Sequence, residues 1–255
     1  MLAPMLCTHV IGKLRPTGLL LCLAGIAVAQ NTPQNTWIRV STVKVKPDMV
    51  QEWRALQKNE IMPAYKKANI PAYNVWQTAI FGDGYEYITV MPIAKFEQFD
   101  GDSPLVKTMK PADRVQIGNR LTKCLVSAHY SALLMQADTS IVKDGASMPD
   151  LIMVTEIQLQ PKNVNAYLSY LKEEMKPVMQ KAGVDWWLVY RDIFGAEHTQ
   201  ITTVRSLKNW AEIDAGPLPR RLLSPSEYIR VTDKGNALTE SSTITMAHYV
   251  KDLSY

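Results

Sequence analysis

Cysteine is scarce in this chain: three in 255 residues, at Cys7, Cys22 and Cys124. A disulfide framework is therefore excluded, and the fold must be held by a hydrophobic core. Charge of one sign is also lacking. Lys and Arg number 28 against 24 Asp and Glu, too small a surplus to mark a nucleic-acid or acidic-membrane partner. The chain has no glycine-rich phosphate loop, nucleophile elbow, C-x-x-C or H-E-x-x-H, so the signatures of nucleotide chemistry, serine hydrolysis, thiol redox and zinc hydrolysis are missing. Asp100-Gly101-Asp102 lacks the further oxygen ligands of a calcium loop. No metal and no cofactor is implied.

Long hydrophobic runs are missing too. The longest, residues 18–28 (GLLLCLAGIAV), falls short of the ~20 apolar residues that span a bilayer. Lys13 and Arg15 precede it and Ala27-Val28-Ala29 follows, so residues 1–29 read as a secretory signal cut after Ala29. The mature protein is expected to be secreted or periplasmic, with no stable membrane span. Leu21 is too bulky before Cys22 for lipid attachment. After cleavage Cys124 stands alone, expected as a buried hydrophobe at the start of a strand. Residues 30–36 (QNTPQNT) are polar and aperiodic and read as a disordered leader.

What is present is a repeat. VSTVKVKPDMVQEW from Val40 returns as VTEIQLQPKNVNAY from Val154. Pro47 maps to Pro161, Pro63 to Pro177 and Val90 to Val204, each at an offset of 114. A constant offset over fifty residues means two copies of one unit, here 37–135 and 151–255, with 136–150 as a polar linker. In each copy an alternating strand ends at a proline. A helix follows with apolar residues at three- and four-residue steps (Val164, Tyr167, Leu168, Leu171, Met175). Pro63 and Pro177 fall inside this helical pattern and predict a kink or break. Two strands around a glycine-containing turn come next (72–80 and 85–91; 186–193 and 199–205). Then come a short helix (93–99; 207–213), a longer helix and a closing strand (125–135; 242–250). Ser224 with Glu227 forms a capping box.

The order β-α-β-β-α-β is the ferredoxin-like unit, and the fold class is α+β. Helices cover one face of each sheet, while Val40, Ile88, Val90, Val154 and Val204 make the other face apolar. Two such sheets are expected to bury these faces in one intramolecular α/β barrel.

The strand ending Val43-Lys44-Val45-Lys46-Pro47, the aromatic Trp53 six residues on, and a proline one helix later resemble the dimeric α/β-barrel superfamily. Its NIPSNAP-like and antibiotic-biosynthesis-monooxygenase-like branches are the nearest, here in tandem. Asp48 and Lys162 stand where those branches usually carry glycine. The resemblance implies a dimer fused into one chain. It also implies a range of activities: cofactor-free oxygenation, haem chemistry, isomerisation or no catalysis.

Two constellations could carry chemistry. Ala-His-Tyr occurs at His129 and again at His248, 119 residues apart. With a short insertion in copy two, both would approach the pseudo-two-fold axis as acid and base; otherwise they are two strand histidines. Second, Thr42 and Gln77 become Glu156 and Arg191 in copy two, which suggests an ion pair in the sheet–sheet interior. Trp76, Tyr190 and Trp187 would wall a ligand-binding pocket there, or simply pack around a structural pair. His198 reads as solvated, as do Glu60 and Glu174 on their helix faces. The expected function is binding, and at most cofactor-free oxidation, of a small aromatic or apolar molecule at the inter-repeat seam. The alternative is a non-enzymatic structural or interaction protein of the cell envelope. Nothing in the sequence sets catalysis or oligomeric state.

Overall fold

The structure is a computed structural model and describes residues 35–255. The expected signal and residues 30–34 lie outside the described residues. Asn35 and Thr36 do not behave as a loose leader. Asn35 Oδ1 accepts from the Ala137 N–H at 3.0 Å, and the Thr36 carbonyl accepts from the Met135 N–H at 2.9 Å.

Strand β1 (Trp37–Val45) alternates as its sequence demands, with Ser41, Val43 and Val45 buried on one face. Pro47 opens a 3-10 turn, and helix α1 follows as Val50–Leu56 and Met62–Lys67. The two pieces join through a π turn at Gln57–Ile61, and the second copy has the same turn at Leu171–Met175. The prolines just beyond explain this: a proline lacks the N–H that would bond four residues back, and widening the turn accommodates the loss. The expected break is thus a local unwinding within a continuous helical run.

Next are β2 (Asn74–Thr78), β3 (Glu86–Ile93), α2 (Pro104–Thr108), α3 (Pro111–Cys124) and β4 (Leu125–Met135). The helix expected over 93–99 is only a 3-10 turn at Phe96–Phe99, because Ile93 is buried and still belongs to the strand. Cys124 is fully buried as expected, but it is the last residue of α3 rather than the first of a strand. The linker is not featureless. Within it β5 (Ile141–Val142) pairs with Trp187 and Trp186.

The second copy runs β6 (Leu151–Leu159), α4 (Val164–Tyr170 and Lys176–Ala182 about its π turn), β7 (Trp186–Phe194) and β8 (Gln200–Leu207). It ends with α5 (Ala211–Asp214), α6 (Leu218–Leu222), α7 (Pro225–Leu238) and β9 (Thr239–Tyr249). Leu207 is buried in β8, so the helix expected over 207–213 starts only at Ala211. The Ser224–Glu227 capping box forms as read.

The strands are ordered β4-β1-β3-β2-β9-β6-β8-β7, and β4 also pairs with β7. The sheet therefore closes into an eight-stranded antiparallel barrel. Two quartets, β4-β1-β3-β2 and β9-β6-β8-β7, meet edge to edge at β2–β9 and β4–β7. Closure protects the edges of both quartets, which open sheets would leave as templates for aggregation. The register keeps the sequence offset: Val40 faces Ser131, and Val154 faces Thr245, again 114 apart.

The helices lie outside, each set covering its own quartet. Trp53 and Leu56 of α1 pack on Val43, Val45 and Tyr87, and the Trp53 and Tyr87 ring centroids are 4.2 Å apart. In the second copy Tyr167, Tyr170 and Leu171 cover Ile157, Val189 and Ile201. Glu174, expected to be solvated, instead bridges α4 to α7. Arg230 holds both its oxygens at 2.9 Å, and Lys234 donates to Oε1 at 3.2 Å. These cations hold its carboxyl down to about 2. Such a depressed carboxylate stabilises the fold above its unfolded pKa, and the benefit is lost as pH falls toward 2. Glu174→Gln is expected to cost about 1 kcal/mol at pH 7, discounted for solvent access. In urea melts the gap between variant and parent should shrink steadily as the pH is lowered from 5 to 2.

Candidate functional site

The inner faces of β1–β4 and β6–β8 enclose a lumen of about 380 Å³. Alternation decides its lining. On β1 Ile38, Val40 and Thr42 point in; on β7, Trp186, Leu188, Tyr190 and Asp192 do; on β6, Ile152, Val154 and Glu156. One end is apolar, closed by Trp76, Trp186, Met148 and Ile152. The other end is polar and carries Thr42, His129, Glu156, Asp192, Gln200 and Thr202.

Asp192 dominates that end. It is only 3% exposed, and its Oδ2 accepts from Gln200 Nε2 at 2.8 Å and Thr202 Oγ1 at 3.2 Å. Its Oδ1 is buried with no hydrogen-bond partner among the described residues. Burial pushes the carboxyl up to about 7, Glu156 adding to the rise while the two hydrogen bonds oppose it. Glu156 stands at the exposed rim, its pKa raised by partial desolvation and drawn back by His129. Glu86, which accepts from Thr78 Oγ1 at 3.2 Å, is also raised by desolvation. A carboxyl that titrates near neutral pH at the end of an apolar cavity, as Asp192 does, is equipment for proton transfer.

The structure brings together Trp76, Tyr190, Glu156 and His129 of the residues singled out from the sequence. It separates the others. Trp187 and Arg191 share β7 with Tyr190 but sit at odd steps from it, so they face away from the lumen. Trp187 belongs to the helix-side core of the second copy. No ion pair links Arg191 to Glu156 among the described residues, because the sheet lies between them. His248 is likewise on the outside, exposed, with Nδ1 3.3 Å from the Asp150 carbonyl oxygen and its ring 6.0 Å from that of Trp210. The two Ala-His-Tyr tripeptides are therefore not equivalent. The 114 offset holds through β4 and β9 without an insertion, so His129 corresponds to Thr243. A displacement of five residues is odd, and an odd displacement on a strand changes face.

Sequence reasoning misses Asp192, though the repeat contains the signal. At an offset of 114, Thr78 becomes Asp192 just as Thr42 becomes Glu156. Both acids share parity with inward residues. Arg191 is the obvious charge partner for Glu156 on paper, while the acid beside it is the inward residue.

Haem would need a histidine facing a flat apolar slot. Two helix–sheet slots exist, one per copy, and neither is lined by histidine or cysteine. His129 opens to the lumen mouth and His248 to the exterior. The residues present do not fit histidine-ligated haem. Among the described residues no cluster of three or more His, Cys, Asp or Glu could hold a metal ion, and no helix is long and apolar enough to cross a membrane.

No protein-family model matches the chain, and no curated protein matches it in sequence. Solved structures do. A monooxygenase-like protein of Lactobacillus acidophilus NCFM superposes with a TM-score of 0.57 at 10% identity, covering 87% of this chain and 96% of its own. An anthrone oxidase-like protein gives 0.57 at 10% identity over 86% and 93%. A chlorite dismutase variant from Candidatus Nitrospira defluvii gives 0.55 at 10% identity over 86% and 94%. This chain is similar to them in fold. At such identity the likeness carries nothing finer.

Proposed function

We propose that this chain is a tandem of two ferredoxin-like units, NIPSNAP-like or antibiotic-biosynthesis-monooxygenase-like, that binds a small aromatic or apolar molecule in the lumen between them. Export behind a cleaved signal is part of the same reading. The ligand would bury its body against Trp76, Leu188 and Tyr190 and direct one acidic O–H or C–H at Asp192. Asp192 accepts that proton, Glu156 and His129 relay it at the rim, and the apolar walls exclude water from the ligand. The observation that carries this reading is the unpartnered Oδ1 of a buried carboxyl at the end of an apolar cavity.

The test is fluorescence titration with 2-naphthol, a neutral aromatic with one acidic O–H. Affinity is expected to strengthen as pH rises through about 7, where Asp192 becomes an acceptor. In Asp192→Asn the pH dependence should vanish and affinity at pH 8 should fall about tenfold, the ~1.4 kcal/mol of a charge-assisted hydrogen bond. Arg191→Ala, on the outer face, should bind as the parent does. Equal pH profiles for the parent and Asp192→Asn would remove the reading.

A further inference from the structure

The two helix–sheet slots are related by the repeat but differ in chemistry. In the first copy the slot, about 320 Å³, is furnished with polar groups that satisfy one another. Tyr73 donates to Gln57 Oε1 at 2.8 Å, and Thr89 Oγ1 donates to the Ser41 carbonyl at 3.3 Å. At the matching positions of the second copy Gln57 becomes Leu171 and Tyr73 becomes Trp187, so that network is gone. The arginine changes strand: Arg39 of the first slot becomes Met153, while Met91, its partner across the sheet, becomes Arg205.

Arg205 lies on β8, paired across the sheet with Trp187 and Met153, and points outward beneath the helices. It is 9% exposed, and its Nε has no hydrogen-bond partner among the described residues. None of the ion pairs found among those residues includes it. Glu212 also lines the slot and its charge favours the guanidinium from beyond ion-pair distance while Arg221 opposes it, but its Oε1 accepts from the Lys208 N–H at 2.7 Å and leaves Arg205 without a direct ion pair. Around Arg205 stand Tyr170, Met175, Met179, Trp187 and Leu218, enclosing about 380 Å³. That volume is within the ~300–1,000 Å³ typical of small-molecule sites. An arginine keeps its charge even when desolvation lowers its pKa, as it does here. A buried guanidinium without a counter-ion is strongly disfavoured unless something else supplies the negative charge. The planar fork of arginine matches a carboxylate with two parallel hydrogen bonds.

We propose that the slot between α4 and the outer face of β8 is a second binding site, which takes a small apolar carboxylate with its anionic head on Arg205. The aromatic and methionine walls accept a ring or short chain without demanding one shape, since methionine adapts to what it meets. This site is on the opposite face of the sheet from the lumen and stands independently of the function proposed there.

The test titrates the whole protein with benzoate, 1-naphthoate and octanoate, each beside its neutral amide. At least one carboxylate is expected to bind tenfold or more tightly than its amide. Arg205→Met, which installs the residue found in the other copy, should bring acid and amide within twofold of each other. Arg205→Lys should retain part of the preference, and Asp192→Asn all of it. Without ligand, Arg205→Met should melt about 2–4 °C higher than the parent, because it removes an unpaired buried charge. No acid preference in the parent, or one that survives in Arg205→Met, overturns the proposal. So does a preference abolished by Asp192→Asn, which would move the ligand to the lumen. An Arg205→Met chain that fails to fold counts against it as well, because the arginine would then be structural.

Discussion

Asp192→Asn is expected to make the protein more stable above pH 7 and to remove most of the slope of stability with pH between about 4 and 7. The sign follows from linkage. The carboxyl titrates near 3.8 in an open chain and about 7 in the fold. Between those values the folded protein binds a proton that the unfolded chain has released. Stability therefore declines as pH climbs through that window and stays low above it. Ionising a carboxyl held one pH unit above its ordinary value costs about 1.4 kcal/mol, so the penalty removed by the substitution is at most ~4 kcal/mol. Asparagine keeps the shape and can still accept from Gln200 and Thr202, which makes loss of packing a minor concern. Urea midpoints of parent and variant at pH 4, 6 and 8 should diverge steadily. Parallel lines would mean that Asp192 is ionised normally, and the lumen would lose its acid.

The second large effect is expected at Gly195, in the hairpin between β7 and β8. Its φ is +74°, and a Cβ built there would overlap the Tyr130 carbonyl oxygen of β4. The hairpin rests on the strand that closes the barrel, so the obstruction is backbone against backbone and cannot be relieved by a rotamer. Gly195→Ala adds left-handed strain of ~1–2 kcal/mol to an overpacking cost of ~1–3 kcal/mol, and a loss of about 3 kcal/mol or more is expected. Gly183 supplies the control. It ends α4 at φ +67°, and a methyl added there would meet nothing within 4 Å, so Gly183→Ala should lose only ~1–2 kcal/mol from strain. Chemical denaturation of the two variants side by side checks this; equal losses would mean that the hairpin does not press on the β4–β7 seam.

Much of the architecture was legible because the sequence pattern recurs at an offset of 114, so each signal is read twice. Pro47 with Pro161 and Pro63 with Pro177 sit at matching points of the pattern, and strands β1, β4 and β7 begin where the pattern places them. The closing strand of the second copy begins three residues before its expected start, at Thr239. The short helices blurred because Ile93 and Leu207 are apolar in either structure, and pattern alone cannot choose between a strand's last residue and a helix's first. The π turns could be located from Pro63 and Pro177 but not identified.

The candidate site was half legible. Glu156, Trp76, Tyr190 and His129 face the lumen as the sequence suggests, whereas Arg191, Trp187 and His248 lie on the other side of the sheet. Each error is one of parity. Choosing Trp187 over Trp186, or Arg191 over Asp192, exchanges inside for outside, because successive strand residues point to opposite faces.

From the residues alone came the fixed offset of 114, the element order and the apolar inner face of the strands. Those follow from periodicity and from the cost of wet apolar surface, both local properties of the chain. Only the closed barrel decided which side of each strand is lumen, that the halves join edge to edge, and that Asp192 Oδ1 and Arg205 Nε lack partners among the described residues. Partnership is a property of what surrounds a group in space, and those surroundings come from segments more than a hundred residues apart.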